Sequence, residues 1–416
     1  MRRKMMVIAV SLSIVVFVFI SGCGLVAAHD VEKIKIGILL PLSGPAAPIG
    51  VNSLNGHKLA VEEINKAGGI YSLGNAKLEL VVADSGGDPK VGMTQAERLI
   101  TKDNVIAIMG AYQSSVTYPS TQVAEKYGIP YIVPSSYLPA ITQRGFKYTF
   151  RICLNSDLAS KEQIALLDRM GRITGEPVKT LGLIYENTDW GESTGESWKK
   201  YAREFGFEVI LDEKYPANSP TLRPVVSKIK AANPDALLFA SYTSDAILLT
   251  NGIAEQKINA KAFVATGGGH ADPVFLENVG ANADYYFDLV ETEPNIDMPQ
   301  AREENEKYRK IYGVDMSDDC IKCYTATYVL RKAIEIAGST DPKEIRRVLA
   351  NIKMVPGQRG IITPYSIEFG PDGQNIHARA LFVQFHNQER VVVYPPELAL
   401  PGANIIWPAP TWEERK

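Results

Sequence analysis

Cysteine is scarce in this sequence: four residues among 416, at Cys23, Cys153, Cys320 and Cys323. That density excludes the small scaffold stapled together by several disulfides. The one close pair, Cys320-Ile-Lys-Cys323, would need two further ligands to hold zinc, and no second CxxC or nearby HxxxH supplies them. It follows Ser317-Asp318-Asp319, which reads as a helix cap, so it is expected to be structural, oxidised or not. Cys153 is expected to be buried and unpaired. Also missing is any Lys/Arg block beyond the N-terminal head, and the formal charge is only −3, which leaves nucleic acid without an electrostatic reason to bind. No Walker Gly-Lys-Ser/Thr occurs, and Gly267-Gly-Gly269 lacks the G-x-G-x-x-G spacing. No cofactor and no metal are implied. After residue 28 no apolar run is long enough to cross a bilayer.

What is present begins with the first 23 residues. Arg2-Arg3-Lys4 precedes an apolar stretch from Met5 to Ile20 and then Ser21-Gly22-Cys23, the layout of a secretory signal. The ending resembles a bacterial lipoprotein box, which implies a signal peptide over 1–22 and a lipid on Cys23. An uncleaved membrane anchor is the other reading, although the charge-free core is shorter than the roughly 20 residues a span needs. Either way the body is expected outside the cytoplasm, tethered to a membrane.

Along that body, apolar runs of strand length alternate with amphipathic stretches. Ile34–Leu40, Leu78–Ala83, Val105–Met109, Ile129–Val133, Leu181–Tyr185, Ala236–Ala240 and Ala262–Ala265 read as strands. Asn55–Lys66, Val91–Lys102, Ser114–Tyr127, Glu192–Phe205 and Leu222–Ala232 read as helices between them. The strand runs are apolar throughout, as parallel strands covered on both faces require. The class is therefore α/β with parallel sheets, and the number of units predicts two lobes. Val314–Asn351 reads as largely helical, Ala380–Phe385 with Val391–Tyr394 as a hairpin, and 395–416 as an extended tail.

Three loops follow strands and carry small or hydroxyl residues: Pro41–Gly50, Gly110–Ser115 and Pro134–Pro139. Ligands of open α/β sheets collect at that end of the strands. The second loop opens a helix, whose free amides beside Ser114 suit a carboxylate. Any one such loop is ordinary punctuation; three in register predict a cleft.

The sequences IKIGILLPLSGPAAPIG…NGHKLAVEEIN (34–65), ADSGGDPK (83–90) and ITQRGFKYTFR (141–151) resemble the solute-binding proteins of branched-chain amino-acid ABC transporters, over about Ile34 to Tyr394. The resemblance implies the type I periplasmic-binding-protein fold, with two doubly wound lobes joined by three hinge crossovers near Asn155, Leu289 and Thr363. One lobe would be 34–155 with 289–362, the other 156–288 with 363–394. It further implies that Ser114, with Ser115 beside it, holds a ligand carboxylate. Ser135, Ser136 and Tyr137 would share in holding the ligand, and Trp190 and Tyr242 would cover it from the second lobe. Two positions depart. Gly267 stands where the leucine–isoleucine–valine binders place an acid for the ligand ammonium, and Ile49 stands where they place a tyrosine. Either another acid substitutes, with Asp272, Asp245 and Glu186 as candidates, or the ligand is an amine-free amide, urea-like compound or aromatic acid. Tyr112, Tyr118 and Tyr137 would suit a flat ligand.

The function so implied is an extracytoplasmic receptor of an ABC importer, partnered by membrane permease subunits, that captures an amino acid or related small solute by hinge closure. A ligand-sensing receptor for a membrane signalling partner is the alternative with the same fold. A secreted hydrolase is a distant third, because Gly191-Glu-Ser193-Thr-Gly195 matches the G-x-S-x-G elbow while no Asp-His pairing accompanies it. His270, beside the glycines, is expected to hydrogen-bond in the cleft.

Overall fold

The computed structural model describes residues 32–415; the basic head, the apolar segment and Cys23 lie outside them. The first sheet is built from β1 (Lys33–Leu40), β2 (Lys77–Asp84), β3 (Ile108–Gly110), β4 (Tyr131–Val133) and β5 (Thr149–Arg151). Its order is β2-β1-β3-β4-β5 and every pairing is parallel. The helices α1 (Ala47–Lys66), α2 (Pro89–Thr101) and α3 (Ser114–Tyr127) make the crossovers. β1 is buried from Ile36 onwards because helices cover both faces, so its sequence is apolar without alternation. α1 begins at Ala47, earlier than its periodicity indicates, because Pro48 at the first turn tolerates the missing N–H bond there.

The chain then enters a second α/β layer. It runs through α4 (Ser156–Thr174), β6 (Thr180–Glu186), α5 (Asp189–Phe205), β7 (Glu208–Tyr215), α6 (Arg223–Ala232), β8 (Ala236–Ala240), α7 (Thr243–Glu255), β9 (Ala262–Ala265), α8 (Pro273–Val279) and β10 (Phe287–Val290). From there it returns to the first lobe as α9 (Pro299–Tyr312), α10 (Asp318–Ala337) and α11 (Pro342–Leu349). α10 packs along α1. Gly56 makes that approach possible, since a methyl group there would collide with the Cys320 carbonyl. Two short strands, β11 (Lys353–Met354) and β12 (Ile367–Glu368), pair with each other before β13 (Leu381–His386) and β14 (Glu389–Tyr394) complete the second sheet. Its order is β14-β13-β10-β9-β8-β6-β7, with the last hairpin antiparallel.

The third passage between the lobes falls later than the crossing expected near Thr363. Gln374 bridges in parallel to Arg151, and the Asn375 side chain donates to the Ile152 carbonyl, so residues up to 375 stay beside β5. The tail lies along the second lobe. Trp407 Nε1 donates to the Glu176 carbonyl at 3.2 Å and Trp412 Nε1 to the Ile258 carbonyl at 2.9 Å.

Candidate functional site

The carboxyl ends of β3, β4, β6, β8 and β9 face one another across the gap between the lobes. There Tyr112, Ser114, Ser135 and Tyr137 meet Trp190, Tyr242, Thr266 and Gly268 around a cavity of about 350 Å³, its mouth included. The gap is nearly shut. Tyr112 from the first lobe and Tyr242 from the second have ring centroids 6.1 Å apart, and Trp190 lies 5.0 Å from Tyr242. Gly268, at φ +55°, passes so close beneath Trp190 that a methyl group there would strike the indole.

On the first lobe, Gln113 precedes α3, so the amides of Ser114 and Ser115 belong to the first turn and have no intrahelical acceptor. The Ser114 hydroxyl accepts from the Leu138 amide at 3.1 Å, tying the two loops together. Ser115 and Ser136 do not reach the cavity wall. Ser136 is buried, bonded to the Tyr112 carbonyl and to Thr117 Oγ1 at 2.8 and 2.5 Å, and so fixes the backbone that carries Tyr112. Gly267 also stands back from the wall, where Gly268 takes its place; its amide donates to Asp288 Oδ1 at 2.7 Å. Ile49 is core. Tyr118 is outside the cavity, with the Arg144 guanidinium stacked on its ring.

None of the three acids considered for a ligand ammonium lines the cavity. Glu186 closes the turn into α5, accepting from the Thr188 hydroxyl and the Gly191 amide, both at 2.8 Å. Asp245 accepts from the Asn218 amide, and Asp272 from Thr243 Oγ1 and the Val274 amide. His270 is not a cleft hydrogen-bonder either: both ring nitrogens lack partners, and the ring packs between Phe239 and Phe275. Burial, helped by nearby Arg390, holds it neutral down to about 3.

The acids that do line the cavity are Asp318 and Asp319, in the first turn of α10, with Lys322 one turn on. Lys322 is 1% exposed, and its ammonium contacts Asp318 Oδ2 at 2.7 Å, Asp319 Oδ1 at 3.2 Å and Glu291 Oε1 at 3.3 Å. Glu291 is completely buried at the exit of β10. It accepts from the Tyr137 hydroxyl (2.7 Å), the Leu154 amide (2.7 Å) and the Tyr365 hydroxyl (3.3 Å). One carboxylate thus joins the segment after β5, the segment after β10 and the segment before β12, and through Lys322 it touches the cavity wall. The sequence does carry a signal for this cluster, an Asp-Asp pair followed at i+3 and i+4 by a lysine on a helix that is otherwise uncharged and buried as far as Leu330. An acidic helix start is so common that it reads as capping, which Ser317 performs by accepting from the Cys320 amide. Cys320 and Cys323 are free, buried thiols that face the packing around α1, and Cys153 is buried and free as well.

Ser193 makes no nucleophile. Its hydroxyl donates to the Trp190 carbonyl at 3.0 Å and sits 2.9 Å from Ser156 Oγ, and among the described residues no histidine is hydrogen-bonded to it. Among the described residues no group of three His, Cys, Asp or Glu side chains could hold a metal ion.

Burial gives the protein an acid-side stability preference. It lifts Glu186 and Glu291 to about 7 and Asp245 and Asp288 to about 6. The native state therefore holds protons that the unfolded chain releases near pH 4, and this stabilisation is lost as pH rises through 6 to 7. His57 and His270, held neutral to about 3, act in the opposite direction below about 6.5. Four groups outweigh two. We expect the melting temperature by scanning calorimetry to be higher at pH 5.5 than at pH 7.5, and the reverse order would contradict the burial of these carboxylates.

Two α/β lobes that close an aromatic-lined cavity between the ends of their strands define a solute-binding protein. The chain belongs to the periplasmic binding protein family, whose model matches residues 33–388, a family of binding proteins without catalytic activity. It is 29% identical over 382 residues to Leu/Ile/Val-binding protein homolog 7 of Brucella suis, covering 90% of this chain and 94% of that one. Its fold matches the leucine-binding protein LivK of Thermotoga maritima at a TM-score of 0.77, with 20% identity over 88% of this chain and 99% of the other. A Rhodopseudomonas palustris solute-binding protein, solved in complex with benzoate, gives the same TM-score at 18% identity, covering 89% and 98%.

Proposed function

We propose that this protein is the receptor of an ABC importer, held at the outer face of a membrane by lipid on Cys23, and that it delivers a small carboxylate-bearing solute to permease subunits. Ser114 and the first-turn amides of α3 receive the carboxylate. Ser135 and the Tyr137 loop complete the first-lobe surface, and Trp190 and Tyr242 close over the solute. Contacts with both lobes favour the closed form, which is the state a permease distinguishes from the empty receptor. The observation that carries the reading is the cavity itself: aromatic side chains of both lobes enclose it, and the buried Tyr112 hydroxyl on its wall has no hydrogen-bond partner within the protein.

A thermal-shift screen of the purified protein against amino acids, amides, urea and aromatic acids tests it. A true solute at about 100 times its dissociation constant stabilises the native state by ~2.7 kcal/mol. Ser114→Ala should weaken any carboxylate-bearing hit. A screen with no stabilising compound would remove the receptor reading, and unchanged affinity in Ser114→Ala would remove the carboxylate from α3.

A further inference from the structure

The charges around the cavity are distributed unevenly. Trp190, Tyr242, Thr266 and Gly268 of the second lobe bring no charged side chain to the wall; Asp318, Asp319 and Lys322 of the first lobe bring all of it. Lys322 does not offset this for a ligand. Its three protons are matched by three carboxylates, so the cluster has surplus negative charge and no free cation. Its carboxylates are unequally committed. Asp318 Oδ1 accepts the amides of Glu291 and Thr292, and Glu291 is saturated by two tyrosines and an amide. Asp319, 4% exposed, has one ion contact to Lys322, with the Ser135 hydroxyl near it. On the same wall the Tyr112 hydroxyl, on a side chain only 7% exposed, has no partner at all. A buried, under-committed carboxylate and an orphaned hydroxyl acceptor are what a bound ammonium would satisfy.

Building on the solute-receptor reading, we propose that the cleft selects solutes that carry an ammonium group, and that Asp319 and Tyr112 of the first lobe receive it. The acid missing at Gly267 of the second lobe is replaced from the opposite side of the cleft. Recognition of both charged ends then belongs to one lobe, and the other supplies aromatic cover, with the Trp190 and Tyr242 rings adding cation–π attraction. An amine-free acid such as benzoate would add negative charge to a wall that already has an excess of it.

Isothermal titration with matched pairs tests this: leucine against 4-methylpentanoate, phenylalanine against 3-phenylpropanoate, and choline against 3,3-dimethylbutanol. The expected result is that the ammonium-bearing member of at least one pair binds and its amine-free counterpart binds at least about 30-fold more weakly. Asp319→Asn, which leaves Lys322 paired with Asp318 and Glu291, should weaken the ammonium-bearing probe by about 30-fold or more. Tyr112→Phe should weaken it several-fold, and stands in if the Asp319 variant does not fold. Equal affinity within every binding pair, or binding of the amine-free member alone, overturns the ammonium assignment while the receptor reading stands. Full affinity in Asp319→Asn overturns it likewise. Binding of no member of any pair counts against both readings.

Discussion

Replacing Lys322 with methionine should lower unfolding stability by about 3–5 kcal/mol at pH 7.5, measured by urea denaturation. Methionine fills a comparable volume, so the loss comes from electrostatics and not from a cavity. Asp318, Asp319 and Glu291 are each no more than 4% exposed, and Lys322 is the ammonium within 3.3 Å of all three. Without it three carboxylates face one another in a poorly solvated space, and leaving buried charge uncompensated costs far more than an ion pair contributes. The deficit should shrink on acidification. Burial already lifts Glu291 to about 7, and losing the lysine lifts it and Asp319 further. A carboxylate with a raised native pKa contributes stability at low pH that disappears as pH rises through that value, so the variant should recover toward pH 5. A loss below about 1 kcal/mol, or one independent of pH, would show that the cluster is not charged as its geometry indicates. Because Glu291, on the inter-lobe segment after β10, is tied to the inter-lobe segment after β5 through the Leu154 amide, the variant should also change the lobe angle seen by solution scattering in the absence of solute.

The architecture was legible because parallel strands buried on both faces leave uninterrupted apolar runs. Ala236–Ala240 and Ala262–Ala265 match their strands residue for residue. β7 shows no such run: at the sheet edge it alternates Glu208, Leu211-Asp212 and Lys214 between exposed and half-buried positions, and the apolar signal is lost. The loops after β3 and β4 border the cavity at Ser114, Ser135 and Tyr137, because each leaves its strand at the end that faces the other lobe, whereas Ser136 serves to hold the backbone of Tyr112. The cluster on α10 was not legible. Asp318 and Asp319 look like ordinary acidic residues at a helix start, Lys322 like an ordinary surface lysine, and Glu291 stands 27 and 31 residues from its partners Asp318 and Lys322. Only the packing of α10 against α1 and of both against the strand exits turns those four residues into one buried group. Gly267 shows only that the second lobe lacks an acid at that position; the acids that line the cavity, Asp318 and Asp319, come from the first.

The second large effect is expected at Arg151, the last residue of β5, which is fully buried with no carboxylate in hydrogen-bond contact. Its guanidinium is held by neutral acceptors. Nε donates to Gln374 Oε1 at 2.7 Å, Nη1 to the carbonyls of Ser136 (3.1 Å) and Leu138 (2.7 Å), and Nη2 to Thr142 Oγ1 at 3.1 Å. Gln374 passes the connection to the Cys153 carbonyl at 2.7 Å, so one side chain fastens the cleft loop, the end of the first sheet and the segment leading back to β13. Arg151→Met removes four charge-assisted bonds; the Leu138 carbonyl keeps the Ile141 amide at 3.1 Å, and the Ser136 carbonyl is left with only the weak Cys153 thiol donor at 3.7 Å. Removing the buried charge recovers part of that cost, and a net loss of about 3–5 kcal/mol is expected. Arg151→Lys keeps the charge but cannot span four acceptors with one ammonium, and should fall between the variant and the wild type. Since Ser135 and Tyr137 ride on the loop that Arg151 holds, solute affinity should fall in the lysine variant even under conditions where it is fully folded. Unaltered affinity in a folded Arg151→Lys protein would mean that this loop keeps its place without the guanidinium, and that the cavity wall is set by Ser114 and Ser136 instead.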